Sequence, residues 1–211
     1  MKTIQLCEKL VKEVYNKFDA SHDFLHIERV RKNALYIAST EVDVDNEIIE
    51  LAVLLHDVSD PKYVTTEGKY MEEHIIQQLD LSKETTEQVK NIIQAVSFNG
   101  GHEITADTIE AKIVRDADRL DAIGAVGIAR TFAYGGAKGR KLYDVTETPR
   151  DNMSAEDYRS KQTASVTHFY EKLLKLADVM QTRTGKELAK ERHAFMELFL
   201  ENLRQETGES I

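Results

Sequence analysis

The stretch Asp45-Asn46-Glu47-Ile48-Ile49-Glu50-Leu51-Ala52-Val53-Leu54-Leu55-His56-Asp57 constrains the fold more than any other part of this chain. It opens on a helix-capping aspartate and runs into five consecutive apolar residues, so the helix it predicts is apolar enough to be central. That helix ends by delivering an imidazole and a carboxylate side by side. Pro61 stops or redirects the chain soon afterward.

The remaining pattern is also helical. Ile4 to Lys17 reads as a helix, Ser21-His22-Asp23 as a break, and the next segment places His26, Val30, Asn33, Ala34 and Ile37 near one face at spacings of three or four. Further helices are predicted over Lys69 to Leu79, Lys83 to Val96, Asp107 to about Tyr134, Ala155 to Met180 and Gly185 to Arg204. Ser82 starts one of them, Asn99-Gly100-Gly101 is a break, and Gly135 to Asn152 is the longest irregular stretch. No repeat, low-complexity tract or sustained apolar alternation asks for a sheet. The expectation is an all-α, compact helical bundle, one domain over residues 1–211.

A chain of 211 residues is long enough to bury a core without disulfides or structural metal. Its single cysteine, Cys7, cannot form an intrachain disulfide and falls in the amphipathic series Ile4, Cys7, Val11, Val14, which predicts a small core residue with no redox role. Glu8, Lys9, Lys12 and Glu13 interrupt the N-terminal segment, so it lacks the continuous apolar run of a signal peptide, and no run is long enough to span a bilayer. A cytoplasmic location with no membrane partner is expected. The formal net charge of -9 works against binding a long nucleic acid, whose backbone would be repelled, but not against a small phosphorylated substrate. A divalent cation reverses the local potential inside an acidic protein.

Four residues are candidates for such a cation: His26, His56, Asp57 and Asp118, spread over nearly half the chain. Two neutral imidazoles and two carboxylates make a mixed nitrogen and oxygen shell suited to a first-row divalent ion. Neighbouring helical positions point about 100 degrees apart, so His56 and Asp57 share an ion only near the end of their helix. Residue by residue, other readings stay open. His26 also fits as a packing residue on the Val30 and Ala34 face, and Asp118, beside the stripe Ala111 and Val114, also fits as an ion-pair partner of Arg115 or Arg119.

Ser21-His22-Asp23-Phe24-Leu25-His26-Ile27-Glu28-Arg29-Val30, the pair His56-Asp57 and Ala117-Asp118-Arg119-Leu120-Asp121-Ala122-Ile123-Gly124-Ala125 together resemble the HD superfamily of metal-dependent phosphohydrolases. The resemblance is close to its bacterial nucleotide-pyrophosphohydrolase-like branch. It extends to His168-Phe169-Tyr170-Glu171-Lys172-Leu173-Leu174 and Arg192-His193-Ala194-Phe195-Met196, and so covers nearly the whole chain. It implies that His26, His56, Asp57 and Asp118 are metal ligands for one divalent cation, Mn2+ preferred, with Co2+, Ni2+, Fe2+ or Mg2+ as the other choices. His22-Asp23 then reads as the lead-in segment, not as the central pair.

The implied reaction is hydrolysis of nucleoside triphosphates to nucleoside monophosphate and pyrophosphate. The alternatives are a nucleoside monophosphate or small-molecule phosphomonoesterase and a non-catalytic HD-like nucleotide sensor. Asp60, held by Pro61 just after the central pair, is the candidate acid or base that orients water; its other reading is a turn cap or an ion pair to Lys62. Lys62 and Arg119 are candidate phosphate contacts. Lys138 and Arg140 are a further pair, in a basic stretch where Gly135-Gly136 and Gly139 permit close backbone approach but no P-loop pattern is present. Lys172 is the last candidate, directed by its helix or else paired within it. Oligomeric state, base preference and the scissile bond stay open, and homo-oligomerisation is compatible with this reading.

Overall fold

The computed structural model describes residues 2–18, 23–59, 71–96, 104–151 and 163–209. Among them all regular structure is helical, as the periodicity predicts. By its contacts the chain divides into two compact units: Met1–Ser97 with Ile104–Asp118, and Phe98–Glu103 with Arg119–Ile211.

The first unit contains α1 (Lys2–Tyr15), α2 (Phe24–Ala38), α3 (Asn46–Leu55), α4 (Met71–Gln78), α5 (Lys83–Val96) and most of α6 (Ile109–Asp121). α3 packs against α1, α2 and α5, and it is central because Ile48, Ile49 and all five residues of Leu51–Leu55 are buried. Asp45 starts α3 as predicted, its carboxylate accepting from the Glu47 and Ile48 amides at 2.9 and 3.1 Å. Tyr15 of α1, fully buried, donates its hydroxyl to the Leu54 carbonyl at 3.1 Å, fixing the end of α3 just before His56. Cys7 is a core residue, and burial pushes its thiol up to about 12, well away from a reactive thiolate.

The second unit is built on α7 (Gly124–Ala137), α8 (Ser165–Glu171), two 3-10 turns (Leu173–Lys175 and Ala177–Val179) and α9 (Arg183–Thr207). α7 packs on α9 and α8. Its apolar centre is a cluster of Phe132, Phe169 and Phe199, with ring centroids 5.8–6.0 Å apart. No described helix is long and apolar enough to cross a membrane.

Three expectations are corrected. The helix expected from Asp107 to Tyr134 is two helices, because the chain breaks after Asp121 and restarts at Gly124 with φ 72°. A side chain at Gly124 would be strained there and would also meet Arg192 Cγ at 2.9 Å. The helix expected from Ala155 to Met180 is, over the described residues, α8 followed by 3-10 turns. Tertiary bonds from Arg150 to the Glu171 carboxylate and from Arg119 to the Val179 carbonyl hold that stretch in its tighter turns. The irregular stretch begins after Ala137, since Gly135 and Gly136 belong to α7. Pro61, the Asn99-Gly100-Gly101 break and the start of the Lys69 helix lie outside the described residues.

Leu51 is fully buried at the middle of α3. Leu51→Ala is expected to lower the unfolding free energy by about 2–5 kcal/mol, measured by denaturant titration, with an unchanged slope showing that the fold itself persists.

Candidate metal centre

Three helices of the first unit supply the site. His26 stands in the first turn of α2, where the Asp23 carboxylate accepts from the His26 amide at 3.2 Å and sets the helix start. His56 follows the last residue of α3, with Asp57 next, and Asp118 lies near the end of α6. Asn33 of α2 donates to the Ala117 carbonyl at 3.4 Å, tying the His26 helix to the Asp118 helix one residue from the carboxylate.

The four side chains converge. His26 Nε2 lies 3.4 Å from Asp57 Oδ2 and 3.6 Å from Asp118 Oδ1, and His56 Nε2 lies 3.6 and 3.7 Å from the same two oxygens. One ligand atom each from His26, His56 and Asp118 falls within 4.8 Å of the others. The imidazoles, 0% and 7% exposed as residues, form the inner side, and the half-buried carboxylates form the side that solvent reaches.

These spacings decide the chemistry. Two ligands each about 2.1 Å from one ion, at tetrahedral or octahedral angles, lie roughly 3.0–3.4 Å apart, and the four His–Asp separations of 3.4–3.7 Å match or exceed that by at most a few tenths of an ångström. His56 Nε2 is buried with no hydrogen-bond partner. Its other ring nitrogen, Nδ1, lies 2.8 Å from the Val53 carbonyl and donates to it, which fixes the tautomer with the Nε2 lone pair facing the cluster. A buried acceptor aimed at two carboxylates is repulsive unless a proton or a cation lies between them. The clustered His/His/Asp site can therefore coordinate a divalent ion, with room left on the carboxylate side.

Arg115 and Arg119, the rival partners for Asp118, are engaged elsewhere. Arg115 Nε donates to the Ala95 carbonyl at 2.7 Å, and Arg119 Nη1 donates to the Val179 carbonyl at 2.7 Å. Asp121, 1% exposed, pairs with Arg130 at 2.9 Å.

The other candidates fall in the second unit or outside the described residues. Asp60, Lys62 and His22 lie outside them. Lys138 and Arg140 flank Gly139 just past the end of α7 and lie over the Tyr134 ring, 5.6 and 5.2 Å from its centroid. Among the described residues neither has an ion-pair partner, whereas Lys141 of the same stretch holds Asp144 at 2.6 Å. Lys172 is the first residue beyond α8, half-buried. Its neighbour Glu171 is taken by Arg150 at 2.6 Å: burial would raise the Glu171 carboxyl, but the Arg150 bonds hold it below the usual range. Sequence reasoning gave no role to Val53, whose contribution is a main-chain carbonyl, or to Glu147 and Arg150, whose bonds join segments far apart in the chain.

Metal-free protein has a definite pH signature. Burial would push His56 down, but the facing Asp57 and Asp118 carboxylates hold it up to about 9, from 6.5. Burial would push Asp118 up, but His56 and then His26 hold it down to about 2, from 3.8. The raised His56 value contributes stability that is complete below pH 6.5 and is lost as pH rises through 9; the depressed Asp118 value contributes above pH 3.8 and is lost as pH falls through about 2. The thermal midpoint of metal-stripped protein is expected to fall between pH 6.5 and 9, with on the order of 3 kcal/mol at stake. His56→Gln is expected to flatten that window; an unchanged profile would remove His56 from it.

Comparison with known proteins places this geometry. Residues 23–123, which span all four clustered groups, match the HD domain family. A crystal structure of a Lactobacillus plantarum protein superposes with a TM-score of 0.88 at 32% identity, over 98% of this chain and 97% of that one. Bacillus subtilis YpgQ in complex with ADP gives 0.71 at 38% identity, over 96% and 97% of the two chains. An HD-superfamily hydrolase from Bacillus thuringiensis gives 0.73 at 40% identity, over 98% and 97%. Because the likeness runs from end to end of these proteins and His26, His56 and Asp118 gather their ligand atoms within 4.8 Å of one another, the chain belongs to the HD superfamily of metal-dependent phosphohydrolases.

Proposed function

We propose that this protein hydrolyses nucleoside triphosphates to nucleoside monophosphate and pyrophosphate, with one divalent cation held by His26, His56, Asp57 and Asp118. The observation that carries this reading is the convergence of two imidazole nitrogens and two carboxylate oxygens at 3.4–3.7 Å around a buried, unpartnered His56 Nε2. Nitrogen and oxygen ligands with no thiolate suit Mn2+, and they admit Co2+, Ni2+, Fe2+ and Mg2+. When bound, the cation supplies positive charge against the developing charge of phosphoryl transfer and makes a coordinated water more acidic.

The chain's own groups do the rest. His56, fixed by the Val53 carbonyl, offers its lone pair without a change of tautomer. Asp57 and Asp118 offset the ion's charge on the side where water and phosphate enter. Asp60 is assigned to orient the attacking water and accept its proton. For the substrate, Lys138 and Arg140 are assigned as phosphate contacts, with Lys62, Lys172 and Arg119, whose Nη1 also donates to the Val179 carbonyl, as further cations. The ADP complex of YpgQ supports a nucleotide ligand in this chain. We also take residues 1–211 as one HD-type catalytic domain with a C-terminal helical extension, since relatives match over their whole lengths.

The test is a nucleotide panel given to metal-stripped protein reloaded with manganese, cobalt, nickel or magnesium, with products separated. Stoichiometric pyrophosphate from triphosphates is the expected result. Inorganic phosphate from monophosphates alone selects a phosphomonoesterase, and binding without metal-dependent turnover selects a nucleotide sensor. Asp118→Asn, which keeps the volume and removes the charge, is expected to weaken metal binding by more than about 100-fold, beyond the range for groups that only support a ligand. Metal content and turnover equal to wild type in the folded variant would exclude Asp118 from the shell.

A further inference from the structure

The basic stretch after α7 is irregular but held at each step. Its turn is a helix cap in which the Arg140 amide donates to the Gly135 carbonyl at 2.8 Å and the Gly139 amide to the Gly136 carbonyl at 3.1 Å, with Gly139 at φ 67°. That pair of bonds is the Schellman arrangement, which closes the turn between Lys138 and Arg140 on the end of α7. Immediately beyond, the Lys141 and Leu142 carbonyls accept from the Ser165 and Val166 amides at 3.0 and 2.9 Å. These are first-turn amides of α8, which no intrahelical carbonyl serves. Glu147 then reaches the same turn, and its Oε2 accepts from the Ala164 amide at 2.9 Å and the Thr167 hydroxyl at 2.7 Å. Arg150 ends the series on the buried Glu171 carboxylate, at 2.6 and 3.1 Å.

The first turn of α8 thus receives both the segment that follows Arg140 and the carboxylate of Glu147. Gly135 allows the close fit, because a Cβ there would lie 2.2 Å from Ser165 Oγ. Lys138 and Arg140, both over Tyr134, are the cations this fastening fixes.

We propose that Glu147 is a positioning residue for substrate binding: by clamping residues 141–147 to the start of α8 it holds Lys138 and Arg140 as a pre-set pair for two phosphate groups of a nucleotide. This rests on the reading that Lys138 and Arg140 contact phosphate. A loop ordered in advance does not have to be ordered by its ligand, so its clamp contributes to affinity without touching the ligand. The amide oxygen of glutamine can accept the same two hydrogen bonds, so what Glu147 supplies is an acceptor and not a charge.

The experiment uses the full-length, metal-loaded protein and reads three quantities: amide exchange at Ser165 and Val166, the dissociation constant for ADP, and kcat and KM for a nucleoside triphosphate. Glu147→Ala is expected to speed exchange at both amides and to raise KM and the ADP dissociation constant about threefold to tenfold, with kcat and metal content near wild type. Glu147→Gln is expected to restore all three. Gly139→Ala meets no atom within 4 Å but strains a positive-φ turn, so it perturbs the cation pair without a clash and is expected to raise KM to a similar extent. Faster exchange in Glu147→Ala with unchanged KM and ADP affinity would overturn the proposal and leave Glu147 a structural clamp. Exchange unchanged in Glu147→Ala would overturn it at the clamp itself. Lys138→Ala and Arg140→Ala are each expected to raise KM on the order of tenfold. An unchanged KM in both would overturn it at its premise, a failure distinguished by the exchange result.

Discussion

Two carboxylates held against two imidazoles withdrawn from water are the constraint around which the first unit is arranged. His26 is fully buried and His56 nearly so, and both turn Nε2 toward Asp57 and Asp118. Left to itself such a group would relax, either by side-chain rotation or by taking up water. It is prevented from doing so by backbone and helix ends: the Val53 carbonyl holds the His56 ring, the Asp23 cap sets the His26 turn, and Asn33 ties α2 to the helix bearing Asp118. The apolar burial of α3 supplies the rigidity, since a helix buried on nearly every side has no lower-energy place to move its end. Without a cation the facing carboxylates hold the His56 imidazole above its usual range against its burial, and the two imidazoles hold Asp118 below its own.

The parts legible in the sequence were those determined locally. α5 appears with the bounds Lys83–Val96 that periodicity and Ser82 indicate, and Ser82 Oγ does accept from the Thr85 amide at 3.0 Å. Asp45 was readable as a cap because its partners are two and three residues away. The break between α6 and α7 was not, because Asp107 to Tyr134 has continuous helical composition and the interruption turns on the positive φ of Gly124, beside which Arg192 packs. Gly124 itself was the available signal. A glycine within a helical run is ambiguous until something far along the chain fills the space beside it.

The same distinction applies to the candidate site. The convergence of His26, His56, Asp57 and Asp118 followed from residue type and resemblance, whereas the His56 tautomer depends on a main-chain carbonyl that no residue identity encodes. In the second unit, composition marked Lys138 and Arg140 as cations but could not separate them from Arg130 and Lys141. Geometry does: Arg130 holds Asp121 and Lys141 holds Asp144, while Lys138 and Arg140 face Tyr134. Formal charge overstates the cations a basic stretch can offer a ligand, because nearby carboxylates occupy some of them.

An acidic protein can offer positive potential to an anion only locally, and the physical routes open to this chain differ in kind. At the His/Asp cluster a divalent ion would supply it, at a point fixed by buried ligands, and the carboxylates that hold the ion also limit how much charge remains for phosphate. At the α7 cap the charge belongs to side chains, and what fixes it is hydrogen bonding of the backbone that carries them. The Glu147 carboxylate, although an anion close in sequence to these cations, is used up on a main-chain amide and a hydroxyl. Residue charge alone would therefore misjudge this position, where hydrogen-bond geometry makes the carboxylate a fastening of the backbone.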